Sequence, residues 1–222
     1  LGAFLFLVII YAVFLIFLSF LSPFVCLSHK KIVPLHYKEQ INMNTNDKVT
    51  PEEIFHDDLY NYLTSIDRID KHLPEAPDLE QLWPKIGESY LPDAMREFGK
   101  YPTCSLGWIM YVGMAMAKYW EEDWELYSKV DDLYKYLRDR IDFDHMDDYI
   151  SQKVLLLEGE EHKQLTDLVV ECASRTYNKL LHMGLQPGTE EAFRGFIAAL
   201  HQIYLMGIAI QLKAMGYHMT KL

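Results

Sequence analysis

The pattern of apolar and polar positions divides the chain just before Met43. Residues 1–27 hold no charged side chain and consist almost entirely of Leu, Phe, Ile, Val and Ala. From Met43 onward apolar residues recur three and four apart with acids between them, the period of amphipathic helices. Thr50-Pro51-Glu52-Glu53 predicts a helix start: Thr50 caps, Pro51 suits the first helical position and Glu53 completes a capping box. Ile54, Leu59, Tyr62, Leu63, Ile66 and Ile69 carry that helix to Lys71, before Pro74. Pro74, Pro77, Pro84, Pro92 and Pro102 then limit residues 74–102 to short helices such as 78–83 and 92–98.

Further helices are expected over 103–119, over 122–137, and from Asp142 or Asp144 to Leu157. Gly159 separates these from a mixed stripe over 160–182, and Gly184 with Gln186-Pro187-Gly188 forms a turn. Thr189-Glu190-Glu191 restarts a helix with a capping residue and acids in its first turn, where the helix dipole favours them. That helix, 190–215, is apolar around most of its circumference and fits either a membrane span or the centre of a bundle. Arg194, His201, Gln202, Gln211 and Lys213 interrupt it and favour the centre of a bundle. Gly195 with Ala199, and Gly113 with Ala117, offer small surfaces where helices approach closely. No segment alternates with period two. The expected class is all-α: a single helical bundle of six or seven main helices over 43–222. Helices 103–119 and 190–215 take its centre, and the acidic flanks of 50–71 and 122–157 face water.

Charge narrows the partners. The chain carries 21 Lys and Arg against 32 Asp and Glu. Residues 1–42 hold three of the bases (Lys30, Lys31, Lys38) and one acid (Glu39), leaving the body at a formal net charge of −13. Such a surface repels phosphate backbones, and no basic stripe offsets it, so nucleic acid is not an expected partner. Cys26, Cys104 and Cys172 lack metal-like or disulfide-like spacing, which favours a reducing compartment.

Residues 1–42 admit two readings. The apolar run 3–27 is long enough to span a bilayer, and His29, Lys30 and Lys31 after it would hold the body on the cytoplasmic side. Alternatively it is translated upstream sequence: the chain opens on Leu1, and Met43-Asn44-Thr45-Asn46-Asp47-Lys48 reads as an ordinary protein start. Both readings place residues 43–222 in the cytoplasm, as a free domain or as a membrane-anchored one.

The most distinctive stretch runs from Tyr101-Pro102-Thr103-Cys104-Ser105-Leu106-Gly107-Trp108 to Lys118-Tyr119-Trp120-Glu121-Glu122-Asp123-Trp124. It resembles a family of bacterial all-helical proteins that remains uncharacterised. The resemblance covers residues 50–215, implies a cytosolic helical domain, and carries no catalytic residue with it.

Trp120, Trp124 and Tyr127 fall at i, i+4 and i+7, one face of a helix, with Trp108, Tyr111 and Tyr119 before them. Aromatic clusters of this kind suit a core or a ligand surface, because their N–H and O–H groups need partners. Met110, Met114 and Met116 read as core packing. His201 is the odd polar residue of the most apolar helix. Trp108, Tyr111, Trp120, Trp124 and His201 are therefore the candidate ligand-binding residues.

A bundle metal site needs carboxylates and Glu-x-x-His pairs on facing helices. Glu53/His56 and Asp142/His145 match the spacing, no more often than chance supplies, and Glu158, Glu161 and His162 add ligands on a third helix. Counted from Asp142, an EF-hand loop would want Gly and Glu where Asp147 and Lys153 stand. No Gly-rich phosphate loop or nucleophile elbow is present. The sequence thus points to a non-enzymatic protein that binds a partner or small ligand through an aromatic-rich surface, with no cofactor expected. The alternative is a metal-dependent bundle enzyme using Glu53, His56, Asp142, His145, Glu158, Glu161 and His162.

Overall fold

The computed structural model describes residues 49–73 and 76–217; the readings made for residues 1–42 lie outside them. The described residues form eight α-helices and no strand: α1 Pro51–Ser65, α2 Pro77–Glu80, α3 Trp83–Phe98, α4 Pro102–Tyr127, α5 Leu133–Arg138, α6 Met146–Tyr149, α7 Gly159–His182 and α8 Glu190–Ala214. A 3₁₀ turn, Phe143–His145, leads into α6, and a π-helical segment, Ile150–Val154, follows it.

The apolar helices form the centre, as the pattern predicts. In α4 every residue from Ser105 to Tyr119 except Trp108 and Lys118 is buried, and Met110, Met114 and Met116 are fully so. α8 is long and apolar enough to cross a membrane, yet 78% of its most apolar window is buried within the protein. The two helices run in the same direction, with Gly113 against Tyr204 and Ile208, Gly207 against Met110, and Trp120 against Tyr217. A Cβ on Gly113 would overlap the Tyr204 carbonyl oxygen, and one on Gly207 would overlap that of Met110. The helices meet backbone to backbone, and only glycine permits it at these two positions. Gly195 plays a different part, accommodating the Leu185 side chain.

Around this pair, α7 runs antiparallel to α4, with Gly107 beside Val169 and Ala173 while the Tyr111 hydroxyl reaches Thr166. Helix α1 packs on α7 and α8. Asp58 accepts from Arg175 Nε at 3.1 Å and lies 3.3 Å from Lys179 Nζ, and Arg175 sits 4.7 Å over the Tyr62 ring. Buried Ser105 donates to the Ala94 carbonyl at 2.8 Å, and Tyr90 to the Ser105 carbonyl at 2.6 Å, pinning α3 to α4.

Four boundaries differ from the expectation. α1 ends at Ser65 rather than Lys71 because Asp67 adopts a left-handed φ of 58°. Arg68 N–H then bonds Leu63 O (2.8 Å) and Asp67 N–H bonds Thr64 O (3.1 Å), a Schellman closure without glycine. Lys213 fastens this turn to the end of α8 through Asp67 (2.6 Å) and Asp70 (3.2 Å). Residues 83–98 form one helix rather than a fragment. Pro84 occupies its first turn, where the missing N–H costs nothing, and exposed Pro92 is tolerated because Ile86, Tyr90 and Ala94 bury the opposite face. The helix expected over 122–137 is two pieces: α4 continues to Tyr127 with an interruption at Asp123 (φ −163°, ψ 80°), and Asp132 caps α5 by accepting from Lys135 N–H at 2.9 Å. Residues 142–157 change helical type twice and end at Leu156, whose φ is 59°.

Candidate functional site

The five sequence candidates do not share one surface. Trp108 is half-buried and meets Phe143 edge-on at 4.4 Å. Tyr111 is buried, donates to Thr166 Oγ1 at 3.4 Å, and is pushed up to about 12 by burial against the opposing effect of that bond. His201 stacks on Trp83 with centroids 4.7 Å apart, and burial lowers its pKa below the usual histidine value, with Glu52 opposing. It is a neutral imidazole on an indole shelf. Trp120 and Trp124 are half-buried at the far end of α4, where Trp120 lies edge-on to Tyr217 at 5.6 Å and Trp124 packs against the core.

The histidines and acids of the metal alternative also stand apart. His56 pairs with its neighbour Asp57 at 3.2 Å and stacks on Tyr60. His162 Nε2 lies 3.6 Å from Asp148, while its buried Nδ1 lacks a partner among the described residues. Asp142 lies 4.0 Å from Arg138, and His145, Glu158 and Glu161 are exposed. Among the described residues no group of three or more His, Cys, Asp and Glu side chains is placed to hold a metal ion. Burial raises the Cys172 thiol to about 12 and raises Cys104 as well, so neither offers a thiolate nucleophile.

A different cluster assembles where α4, α5 and α6 meet. Tyr119 and Tyr127 are eight residues apart, roughly 12 Å along an uninterrupted helix. The break at Asp123 folds the last turn of α4 back, and the two rings stack at 4.2 Å and 18°. The Asp123 carboxylate caps the new turn by accepting from Leu126 N–H at 3.0 Å. Tyr136 from α5 stands edge-on to both rings, 6.2 Å from each. Arg140, just beyond α5, lies 4.2 Å over the Tyr136 ring, donates to the Tyr136 hydroxyl, and reaches the Tyr149 hydroxyl from α6. Ring pairs of this kind contribute about 0.5–1.5 kcal/mol each beyond their buried area.

The hydroxyls of this cluster are its chemical content. Tyr119 is buried, with 5% of its surface exposed, whereas Tyr127, Tyr136 and Tyr149 are half-buried and Arg140 is exposed. Burial holds the Tyr119 hydroxyl protonated well above the ordinary phenol range; the nearby Tyr149, Tyr127 and Tyr136 add to this and Arg140 opposes it. Burial raises Tyr127 in the same way. Among the described residues none of these four phenolic O–H groups donates to a protein acceptor. Tyr136 instead accepts from Arg140. The nearest acids are engaged elsewhere, Glu122 with Lys118 at 3.4 Å and Asp123 with the Leu126 amide. Four tyrosines and a guanidinium thus cluster at a half-exposed rim, with Tyr119 at its buried side. The density of tyrosines over 119–149 is the sequence signal for it; the refolded end of α4 that joins them leaves no periodicity to read.

No protein-family model matches the chain, and no curated protein or solved structure matches it.

Proposed function

We propose that this chain is a non-enzymatic binding protein that holds a small ligand at the aromatic rim formed by Tyr119, Tyr127, Tyr136, Tyr149 and Arg140. The observation that carries this reading is a stacked tyrosine pair and the Arg140–Tyr136 contact in one cluster, whose phenolic donors have no protein acceptor among the described residues. Donors placed to stabilise a fold find acceptors within it, as Tyr90 and Tyr204 do on the Ser105 and Leu79 carbonyls. Donors at a half-exposed surface bond water in the free protein and can exchange that water for a ligand's acceptor. Free thiols at Cys104 and Cys172 support a cytosolic setting.

The test is removal of the hydroxyls alone. The Tyr127→Phe/Tyr136→Phe/Tyr149→Phe variant keeps the rings, and water replaces the hydroxyls for exposed Arg140, so it is expected to unfold in urea close to the parent's concentration. A loss above about 1 kcal/mol per hydroxyl would make the cluster an internal hydrogen-bond network and overturn the reading.

A further inference from the structure

Resting on that reading of the rim, we infer that its ligand is a phosphate monoester, bound by its phosphoryl oxygens to the Arg140 guanidinium and the hydroxyls of Tyr119, Tyr127, Tyr136 and Tyr149. The donor set selects the ligand. Each phenol supplies one O–H, and the guanidinium supplies several N–H groups in a planar fork. The Tyr136 oxygen accepts from Arg140, which leaves its own O–H for a further acceptor; Tyr149 lies beside the same guanidinium, and among the described residues the Tyr119 and Tyr127 hydroxyls have no protein acceptor.

A ligand that satisfies four O–H donors and a guanidinium edge needs more acceptor sites than a carboxylate offers with its two oxygens. A phosphoryl group presents three strong acceptor oxygens and up to two negative charges at neutral pH. Arginine is also the side chain whose geometry matches phosphate oxygens in pairs. A cationic ligand is disfavoured because Arg140 already occupies the Tyr136 face at 4.2 Å. The stacked Tyr119 and Tyr127 rings leave no slot between them, so the phosphoryl group sits at the hydroxyl edge of the cluster. Glu122 and Asp123 also face Tyr127; Lys118 pairs the first and the Leu126 amide holds the second.

The experiment is a titration of the full chain, isotopically labelled in its tyrosine rings, followed by NMR. Inorganic phosphate is expected to shift the Tyr119, Tyr127, Tyr136 and Tyr149 signals saturably while exposed Tyr101 stays still. Phenyl phosphate is expected to bind more tightly than inorganic phosphate, because its ring meets the aromatic walls. Arg140→Ala should weaken phosphate by about ten- to a hundred-fold, and Tyr119→Phe by about three- to ten-fold. Arg140→Lys keeps the charge without the fork and should fall between the parent and Arg140→Ala. If acetate or a neutral aromatic moves these signals and phosphate does not, the phosphate assignment is wrong although the rim binds. If no probe moves them, both the assignment and the rim fail. A non-saturating response, or one unchanged by both Arg140 substitutions, also overturns the assignment.

Discussion

At the scale of single residues, two glycines set the separation of the central helices. Gly113 and Gly207 sit where α4 and α8 touch backbone to backbone, and each stands opposite a carbonyl that no Cβ can pass. Because backbone rather than a flexible side chain is the obstacle, relief requires the helices to part. Gly113→Ala is expected to destabilise the protein by about 1–3 kcal/mol, read as a fall in the urea midpoint. Gly99→Ala is the control, since a Cβ there meets nothing within 4 Å. An equal fall in both variants would mean that backbone flexibility, and not the close approach, matters. Gly113 was legible as a small surface on an apolar helix. Gly207 was not, since a helix apolar on nearly every side does not reveal which residue meets its partner. Of the candidate site, the aromatic richness of the 101–127 stretch was legible, and Trp120 and Trp124 do lie near its exposed end. Arg140, Tyr136 and Tyr149 were not, because they come from other elements and only tertiary packing brings them to Tyr119.

At the scale of elements, long amphipathic stretches were read correctly and their interruptions were not. α7 and α8 keep nearly the expected ends because a strong period, two glycine turns and the Thr189 cap agree, with Thr189 Oγ1 accepting from Ala192 N–H at 3.2 Å. The proline-rich stretch misled in the other direction, since Pro84 and Pro92 lie on the exposed side of α3, whose opposite face is buried. The end of α4 shapes the candidate site. Asp123 leaves helical geometry, and its carboxylate caps the turn that returns Tyr127 to Tyr119. Asp123→Ala is expected to cost about 0.5–2 kcal/mol through the lost cap and to loosen that stack. Tyrosine near-ultraviolet circular dichroism checks it: the signal should weaken while far-ultraviolet helicity is kept. An unchanged tyrosine signal would show that packing, and not the cap, holds the turn.

At the scale of the whole molecule, buried phenols tie stability to alkaline pH. Burial raises Tyr90, Tyr119, Tyr134 and Tyr204 well above the phenol value, and Tyr111 to about 12. The unfolded chain releases these protons near pH 10 while the folded chain retains them. Their contribution to stability is therefore complete below about pH 10 and is lost as pH rises from there through the folded-state values. The urea midpoint should hold up to about pH 10 and then fall steeply, with phenolate absorbance from these tyrosines appearing only as the protein unfolds. Smooth ionisation of all tyrosines in a folded protein would contradict the burial described above. In this architecture two central helices bury their apolar surface against each other and the helices around them, and aromatic groups collect where α4 is interrupted. Spectra of the tyrosine- and tryptophan-labelled full chain, recorded against a set of small polar and aromatic fragments, test that division of labour most directly. Binding fragments are predicted to move Tyr119, Tyr127, Tyr136 and Tyr149 together. Fragments that collect instead at Trp83 and His201, or that leave every labelled ring unmoved, would contradict it.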